Sequence, residues 1–327
     1  MPSFVARQIL RFIVLMFAVS VLVFALVGLS PIDPVQANIG QTAYASLSPE
    51  KKAELALYWG SQTPIWERYV HWLGAALTGD FGISLRFNAP VTEVLISRTA
   101  NTLLLMSIAW LFSGVIGFVM GLVSGLKQGT WCDRCIKMFC YVLASTPAFW
   151  FGLIVLMVFA VYLGWFPVGF SVPIGENAAQ VSLGSVVYHA ILPAFTLSIV
   201  GVANIALHTR EKTIDVMNSD YIRFAQARGM SRMQALRTHG LRNIALPALT
   251  LQFGAISEIF GGSVLVEQVF SYPGLGQAAV SAGIGGDAAL LVGIALVSAV
   301  IVFAGNVCAS ALYQVIDPRI KQAGEGL

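Results

Sequence analysis

The feature that most constrains this chain is a set of six apolar stretches, each long enough to cross a bilayer and nearly free of charge. A hydrocarbon core of about 30 Å takes roughly 20 helical residues. The stretches run from about Phe12 to Leu29, Thr102 to Leu126, Met138 to Phe166 with Pro147 inside, Val186 to Leu207 around Pro193, Ile244 to Phe270, and Ala288 to Ile316. In lipid only helices and closed barrels satisfy the backbone, and unbroken apolar runs do not fit the alternating strands of a barrel. The expectation is an all-α membrane protein with six transmembrane helices. Composition agrees, with 57% of the 327 residues hydrophobic and 11% charged.

Lysine and arginine in short connections set orientation, because positively charged short loops stay in the cytoplasm. Arg7 and Arg11 precede the first run, Lys127, Arg134 and Lys137 separate the second from the third, and Arg319 and Lys321 follow the sixth. Seven more lie between the fourth and fifth, namely Arg210, Lys212, Arg223, Arg228, Arg232, Arg237 and Arg242. The connections at about 167–185 and 271–287 hold none. Both termini are therefore expected in the cytoplasm. The long segment from about 30 to 100, with Lys51, Lys52, Arg68, Arg86 and Arg98, is expected outside, since long loops cross largely regardless of charge. Val35-Gln36-Ala37 faintly resembles a signal cleavage site, but the preceding apolar run exceeds a usual signal core and reads as a retained helix. The expected organisation is a first helix with its long external loop in 1–100, then a five-helix core in 101–327 with a cytoplasmic segment at 209–243.

Residues for chemistry are sparse. There is no G-x-x-x-x-G-K-[ST] phosphate loop, no H-E-x-x-H and no G-x-S-x-G, and the four histidines at 71, 189, 208 and 239 are scattered. No catalytic set, metal site or cofactor of its own is expected, and the chain does not read as an enzyme. Cys132-Asp-Arg-Cys135 has metal or redox spacing, yet without a second pair it reads as ordinary reduced thiols. Ser113, Gly117, Gly121 and Gly125 recur every four residues and mark a face where another helix backbone approaches closely. Ser48-Pro49-Glu50 starts a capped amphipathic helix in the external segment.

Glu258 falls near the expected bilayer centre, where an ionised carboxylate faces a partner or a water-filled path. It is a candidate for a translocation path, together with Asn204. The alternative is a carboxylate kept neutral or paired with Asn204, His208 or Asn306. Glu267 is expected nearer the outer end of its helix, close to water.

The densest charge lies in 221–243. Ala225, Gln226, Ala227 and Arg228, then Met230 to Arg237, favour helix, and Gly229 between them predicts a bend between two short helices. The arginines do not share one helical face. Phe224, Met230, Met233 and Leu236 are expected to meet protein, and part of the charge to meet lipid headgroups.

Here the sequence resembles a known family. Ala225-Gln-Ala-Arg-Gly229, followed by Leu241 and Pro247, is similar to the cytoplasmic loop of ABC importer permeases, in the dipeptide, oligopeptide and nickel branch. The glutamate of the general pattern is missing, and Arg223-Phe224-Ala225 and His239-Gly240-Leu241-Arg242 stand in its place around Gly229, as in that branch. Leu29-Ser30-Pro31-Ile32-Asp33-Pro34, Gly79-Asp80-Phe81-Gly82-Ile83-Ser84, Ser145-Thr146-Pro147-Ala148-Phe149-Trp150, Val266 to Gly276 and Asp317-Pro318-Arg319 extend the resemblance along the chain.

The resemblance implies a type I ABC importer permease in the bacterial cytoplasmic (inner) membrane. It implies a second homologous permease, two cytoplasmic ATPases that bind the ATP and magnesium, an external solute-binding protein, surrounding lipid and no nucleic acid. The 221–243 segment would seat on an ATPase and couple to it, with Arg223, Ala225, Ala227, Arg228, Gly229, His239 and Leu241 in that element. Gly229 would set the bend, the alanines would permit close approach, and Arg228 would add charged contacts. Peptides, nickel complexes, other metallophores, opines and glutathione-like molecules are the cargo classes of the branch. The competing expectation is a secondary transporter driven by an ion gradient, which draws on Glu258 and the proline-interrupted helices.

Overall fold

The structure is a computed structural model that describes residues 2–30, 34–58, 63–173, 175–176 and 181–316. Pro31-Ile32-Asp33 and the closing Asp317-Pro318-Arg319 lie outside those residues. In chain order the helices are α1 (Pro2–Gly28), α2 (Pro34–Ile39), α3 (Gln41–Ser46), α4 (Pro49–Tyr58) and α5 (Ile65–Leu77). A two-stranded antiparallel hairpin, β1 (Ile83–Ser84) and β2 (Ala89–Pro90), comes next. Then follow α6 (Val91–Leu126), α7 (Trp131–Ser145), α8 (Ala148–Val155), α9 (Leu183–Met217), α10 (Asp220–Ala227), α11 (Arg232–Ala235), α12 (Leu241–Gly254), α13 (Ile256–Val269), α14 (Leu275–Ile284) and α15 (Ala288–Ile316).

Four of these helices, α1, α6, α9 and α15, are long and apolar enough to cross a membrane, and the count is six if two bent pairs are each one span. The bent pairs depart from the expected straight helices. The third run is α7 followed by residues 148–162, and the two axes meet at 109°. Proline explains the break. Thr146 before it is extended (φ −98°, ψ 124°), and Pro147, itself extended, has no N–H and caps α8. The fifth run bends by 50° at Ala255, whose ψ of −7° is off the helical value. Glu258 thus stands in the first turn of a new helix instead of in the middle of a long one.

By compactness the chain divides into two units. One comprises the described parts of 1–102 and 273–303. There α1 packs on α5 through Phe24, Tyr69 and Trp72, with ring centroids of Phe24 and Tyr69 5.4 Å apart. Ser20 Oγ and Tyr69 Oη lie 2.9 Å apart. The hairpin is held to the start of α15 by buried Asp287, whose carboxylate accepts from Ser84 Oγ at 2.6 Å, from the Arg86 N–H and from the Leu290 N–H. Asn101 Nδ2 donates to the Pro273 carbonyl at 2.9 Å, and the Leu275 N–H donates to Thr102 Oγ1 at 2.8 Å. Ser48 accepts from the Lys51 N–H and starts α4, as its sequence position predicts.

The other unit comprises the described parts of 103–272 and 304–327. Its centre is α9, a helix apolar around most of its circumference and buried on most of it, packed by α7, α8, α12 and α13. The Ser113 to Gly125 row of α6 meets α9, as the spacing predicts. A Cβ added at Gly117 would lie 2.9 Å from Ile205 Cβ, and one at Gly125 would lie 2.6 Å from Thr213 Cβ. Leu111, Val115 and Val119 form the opposite, exposed stripe of α6. Buried Gln252 of α12 donates to the Trp110 carbonyl and to Ser113 Oγ, and Trp110 Nε1 donates back to the Gln252 carbonyl at 2.9 Å.

Candidate functional site

Between α9 and α12 the chain forms an elbow. Its first arm, α10, ends at Arg228, and Gly229 takes φ +92°. The Gly229 N–H donates to the Gln226 carbonyl at 2.9 Å and the Met230 N–H to the Ala225 carbonyl at 3.2 Å. This pair of bonds is the glycine-terminated helix cap that satisfies orphan carbonyls with a left-handed residue. Two residues later Ser231 starts the second arm with a reciprocal cap. Ser231 Oγ accepts from the Gln234 N–H, and Gln234 Oε1 accepts from the Ser231 N–H at 2.9 Å. The arm runs from α11 through a wider turn at Leu236–Gly240 into α12 without a break. A helix, a turn and a helix are therefore present, with the turn at Gly229. Part of 209–243 is plain helix, however, because α9 continues to Met217.

The elbow has a core of its own. Ile222 and Ala225 of the first arm, and Ala235 and Leu236 of the second, pack on Val216 and Met217 of α9 and on Ile244. Phe118, Leu122 and Leu126 of α6 close that cluster. Gly240 fits because a Cβ there would lie 3.2 Å from Leu236 and 3.3 Å from Val216. Asn243 Nδ2 donates to Tyr221 Oη at 3.1 Å and ties the two arms together.

The expected site residues fall on both sides of this core. Arg223, Ala227, Arg228, Gly229, His239 and Leu241 are exposed. Ala225 is not, being 5% accessible and turned inward, so its small size serves the elbow's own packing. Leu236, expected at a protein contact, is likewise internal. Phe224, Met230 and Met233 are exposed, and Tyr221 joins them. Arg228 lies over the Phe224 ring, 5.8 Å from its centroid. Among the described residues no carboxylate pairs with Arg223, Arg228, Arg232, Arg237 or Arg242. The elbow thus presents arginines interleaved with aromatic and methionine side chains, a surface suited to an acidic, partly apolar groove.

Arg210 behaves differently. It reads from sequence as one more basic residue of the connection, yet its guanidinium grips Asp133 of α7 with two bonds, Nε to Oδ1 at 2.6 Å and Nη2 to Oδ2 at 2.9 Å. Asp133 is 1% exposed and Arg210 15%. Ser124 Oγ donates to the same carboxylate at 2.6 Å and the Gly129 N–H at 2.9 Å, and Lys137 stands 4.0 Å away. Asp133 lies between Cys132 and Cys135, which are free thiols. In that stretch the carboxylate, and not the sulfurs, holds neighbouring elements together. Thr130, which caps α7 by accepting from the Asp133 N–H, was the available signal.

The path candidates are not joined. Glu258 and Asn204 are exposed on this chain, and no hydrogen bond links Glu258 to Asn204, His208 or Asn306 among the described residues. Asn306 accepts from Ser257 Oγ at 3.3 Å. Glu267, expected close to water, is instead fully buried. After it Phe270 and Tyr272 are also buried, the Tyr272 N–H donates to the Glu267 carbonyl at 2.8 Å, and Ser271 takes a positive φ of 47°. Burial first, then the Glu267 charge, pushes the Tyr272 phenol up.

Four helices long and apolar enough to cross a membrane, up to six spans if each bent pair is one, and a structured basic elbow define a multi-pass helical membrane protein. Residues 113–322 match the family described as binding-protein-dependent transport system inner membrane component. The chain belongs to that family, the permease components of ABC importers, and it is a multi-pass protein of the cytoplasmic (inner) membrane. It is similar to the oligopeptide transport system permease protein AppB of Bacillus subtilis (strain 168), 34% identical over 98% of this chain and 100% of that one. The dipeptide transport system permease protein DppB of Escherichia coli (strain K12) is 30% identical over 98% and 99% of the two chains. The glutathione transport system permease protein GsiC of Escherichia coli O1:K1 / APEC is 32% identical over 98% and 99%.

Proposed function

We propose that this chain is one of two permease subunits of an ATP-driven importer for peptides or related small solutes, forming half of the translocation path. The carrying observation is the elbow: a twice-capped turn packed on α9 and α6, with an arginine, aromatic and methionine face that no carboxylate among the described residues pairs. On this reading the elbow lies in the cytoplasm and seats in a groove of a separate ATPase, both termini are cytoplasmic, and the long segment of about 30–100 is external, on the side of the solute-binding protein. Nucleotide-driven closure of the ATPases moves the elbow as a body, and the helices switch between outward-facing and inward-facing states. The first helix and its long external loop occupy 1–100, and the core begins near residue 101.

Arg223, Arg228 and His239 supply polar contacts to the ATPase, Ala227 and Leu241 allow close approach, and Gly229 holds the turn. ATP and magnesium belong to the partner subunits, and this chain supplies no cofactor and no reactive group. Glu258 and Asn204 are path residues, and Glu258 favours a cationic group on the cargo. The peptide and glutathione systems named for the relatives support this substrate class; the binding protein sets most of the selectivity.

The test replaces Gly229 by tryptophan in the assembled complex. Nothing lies within 4 Å of the position where a Cβ would stand, so the cost to folding is that of a side chain at φ +92°, about 1–2 kcal/mol, while the bulky side chain blocks seating. Insertion is expected to persist and uptake to lose its dependence on ATP hydrolysis. Normal ATP-driven uptake by that variant, or uptake by the isolated chain without ATP, would point to secondary transport instead.

A further inference from the structure

The elbow and α7 have no direct contact in the hydrogen-bond and core pattern described above, yet both are fixed to the same end of α9. The elbow is fixed by its core on Val216 and Met217, and α7 by Asp133 on Arg210 two turns earlier. α7 also lies along α9 through Cys140 and Leu143, which pack with Ile199, Val202, Ala203 and Ala206. At its other end α7 stops at Ser145, where extended Thr146 and Pro147 turn the chain by 109° into α8. A fifteen-residue helix clasped at one end and broken at the other has the form of a lever.

From this arrangement we infer that the Asp133–Arg210 clasp is the joint through which displacement of the elbow reaches α7, with Thr146-Pro147 as the hinge. The inference rests on the reading that the elbow receives motion from an ATPase. The chemistry of the joint suits the role. A bidentate guanidinium–carboxylate pair fixes both distance and angle, which a single contact or a lysine would not. Ser124 and the Gly129 N–H occupy the remaining acceptor positions, so the carboxylate cannot rotate away without losing bonds on every side. The joint also includes α6, whose Gly121 and Gly125 place its backbone against α9 on either side of Ser124. Asp133 and Arg210 are positioning residues here, because they touch neither cargo nor nucleotide.

The experiment uses the full complex in liposomes with native cysteines replaced and Tyr141→Cys, on the exposed face of α7, as the reporter. Maleimide labelling is compared in the nucleotide-free and the ATP–vanadate-trapped states, per assembled complex, alongside ATP hydrolysis. With the clasp intact the labelling rate is expected to change at least fivefold between states. In Asp133→Asn the change is expected to fall below twofold while hydrolysis continues, and Arg210→Lys, which keeps the charge and loses the fork, is expected to fall between. Full nucleotide response in both variants overturns the clasp's role alone. Proportional loss of assembly, hydrolysis and labelling makes it a folding contact and likewise overturns it. No nucleotide response in the unaltered clasp overturns the elbow reading together with this one.

Discussion

Arg210 and the arginines of the elbow carry the same charge within a short length of chain, and the fold uses them in opposite ways. Arg210 is nearly enclosed and holds a carboxylate with two bonds, whereas Arg223, Arg228, Arg232, Arg237 and Arg242 are exposed and have no carboxylate partner among the described residues. An enclosed guanidinium must be compensated inside the chain, because burial of an unpaired charge is expensive. An exposed one is hydrated, so it can wait for another protein or for headgroups at little cost. The clasp is thus a contact within the chain, and the elbow face is a contact that the chain itself leaves open. Position relative to α9 decides which: Arg210 extends from the packed helix, and the others lie beyond Met217, where the chain has left it.

The contrast can be broken by mutation. Introducing leucine at Gly121, on the α6 face beside the clasp, is expected to be the most damaging change, since its side chain would fall against the Ala206 carbonyl and a Cβ would lie 2.6 Å from Thr209 Cβ. Loss of detergent-stable protein on size-exclusion chromatography would show it. Removal of one clasp partner by Asp133→Ala is expected next, at about 3 kcal/mol, the low end for breaking a buried pair. A thermal-unfolding midpoint unchanged by that substitution would place the pair in water.

Smaller effects belong to the elbow. Gly229→Ala meets no neighbour but forces a side chain into φ +92°, which is worth about 1 kcal/mol, and Ser231→Ala loses its cap for a similar amount. Denaturation of the purified variants would measure both. Arg237→Ala is expected to change stability by less than about 0.5 kcal/mol, as for other exposed surface positions. It should nonetheless weaken ATPase association more at low salt than at high, since exposed charge pairs are screened. Equal weakening at all salt concentrations would mean that the arginine is enclosed on binding.

Much of this architecture was legible in the residues. The six apolar runs, the α6 glycine row, the cap at Ser48 and the turn at Gly229 all depend on local rules, namely the length of an apolar helix, the spacing of one helical face, and the backbone freedom of one residue. The family could be read from ordered short motifs because those motifs fix turns and close contacts. The reciprocal cap of Ser231 and Gln234 came only with the structure, although their three-residue spacing carries its signal.

What the residues alone could not settle depends on which distant segments meet. Periodicity treats Arg210 and Arg237 alike, and only the approach of α7 to α9 makes one a clasp. Proline at 147 marks a disturbance in the third run, but the spacing of residues does not give the 109° between the two halves. Ala225 looks outward from its motif and faces inward in the fold, and Glu267 looks close to water and is enclosed. Sequence spacing encodes the conformation of neighbours along the chain, whereas burial and charge pairing are set by neighbours in space. The fold class and the elbow's turn were therefore determined by the sequence itself, and the clasp, the inward alanine and the buried glutamate were decided by tertiary packing.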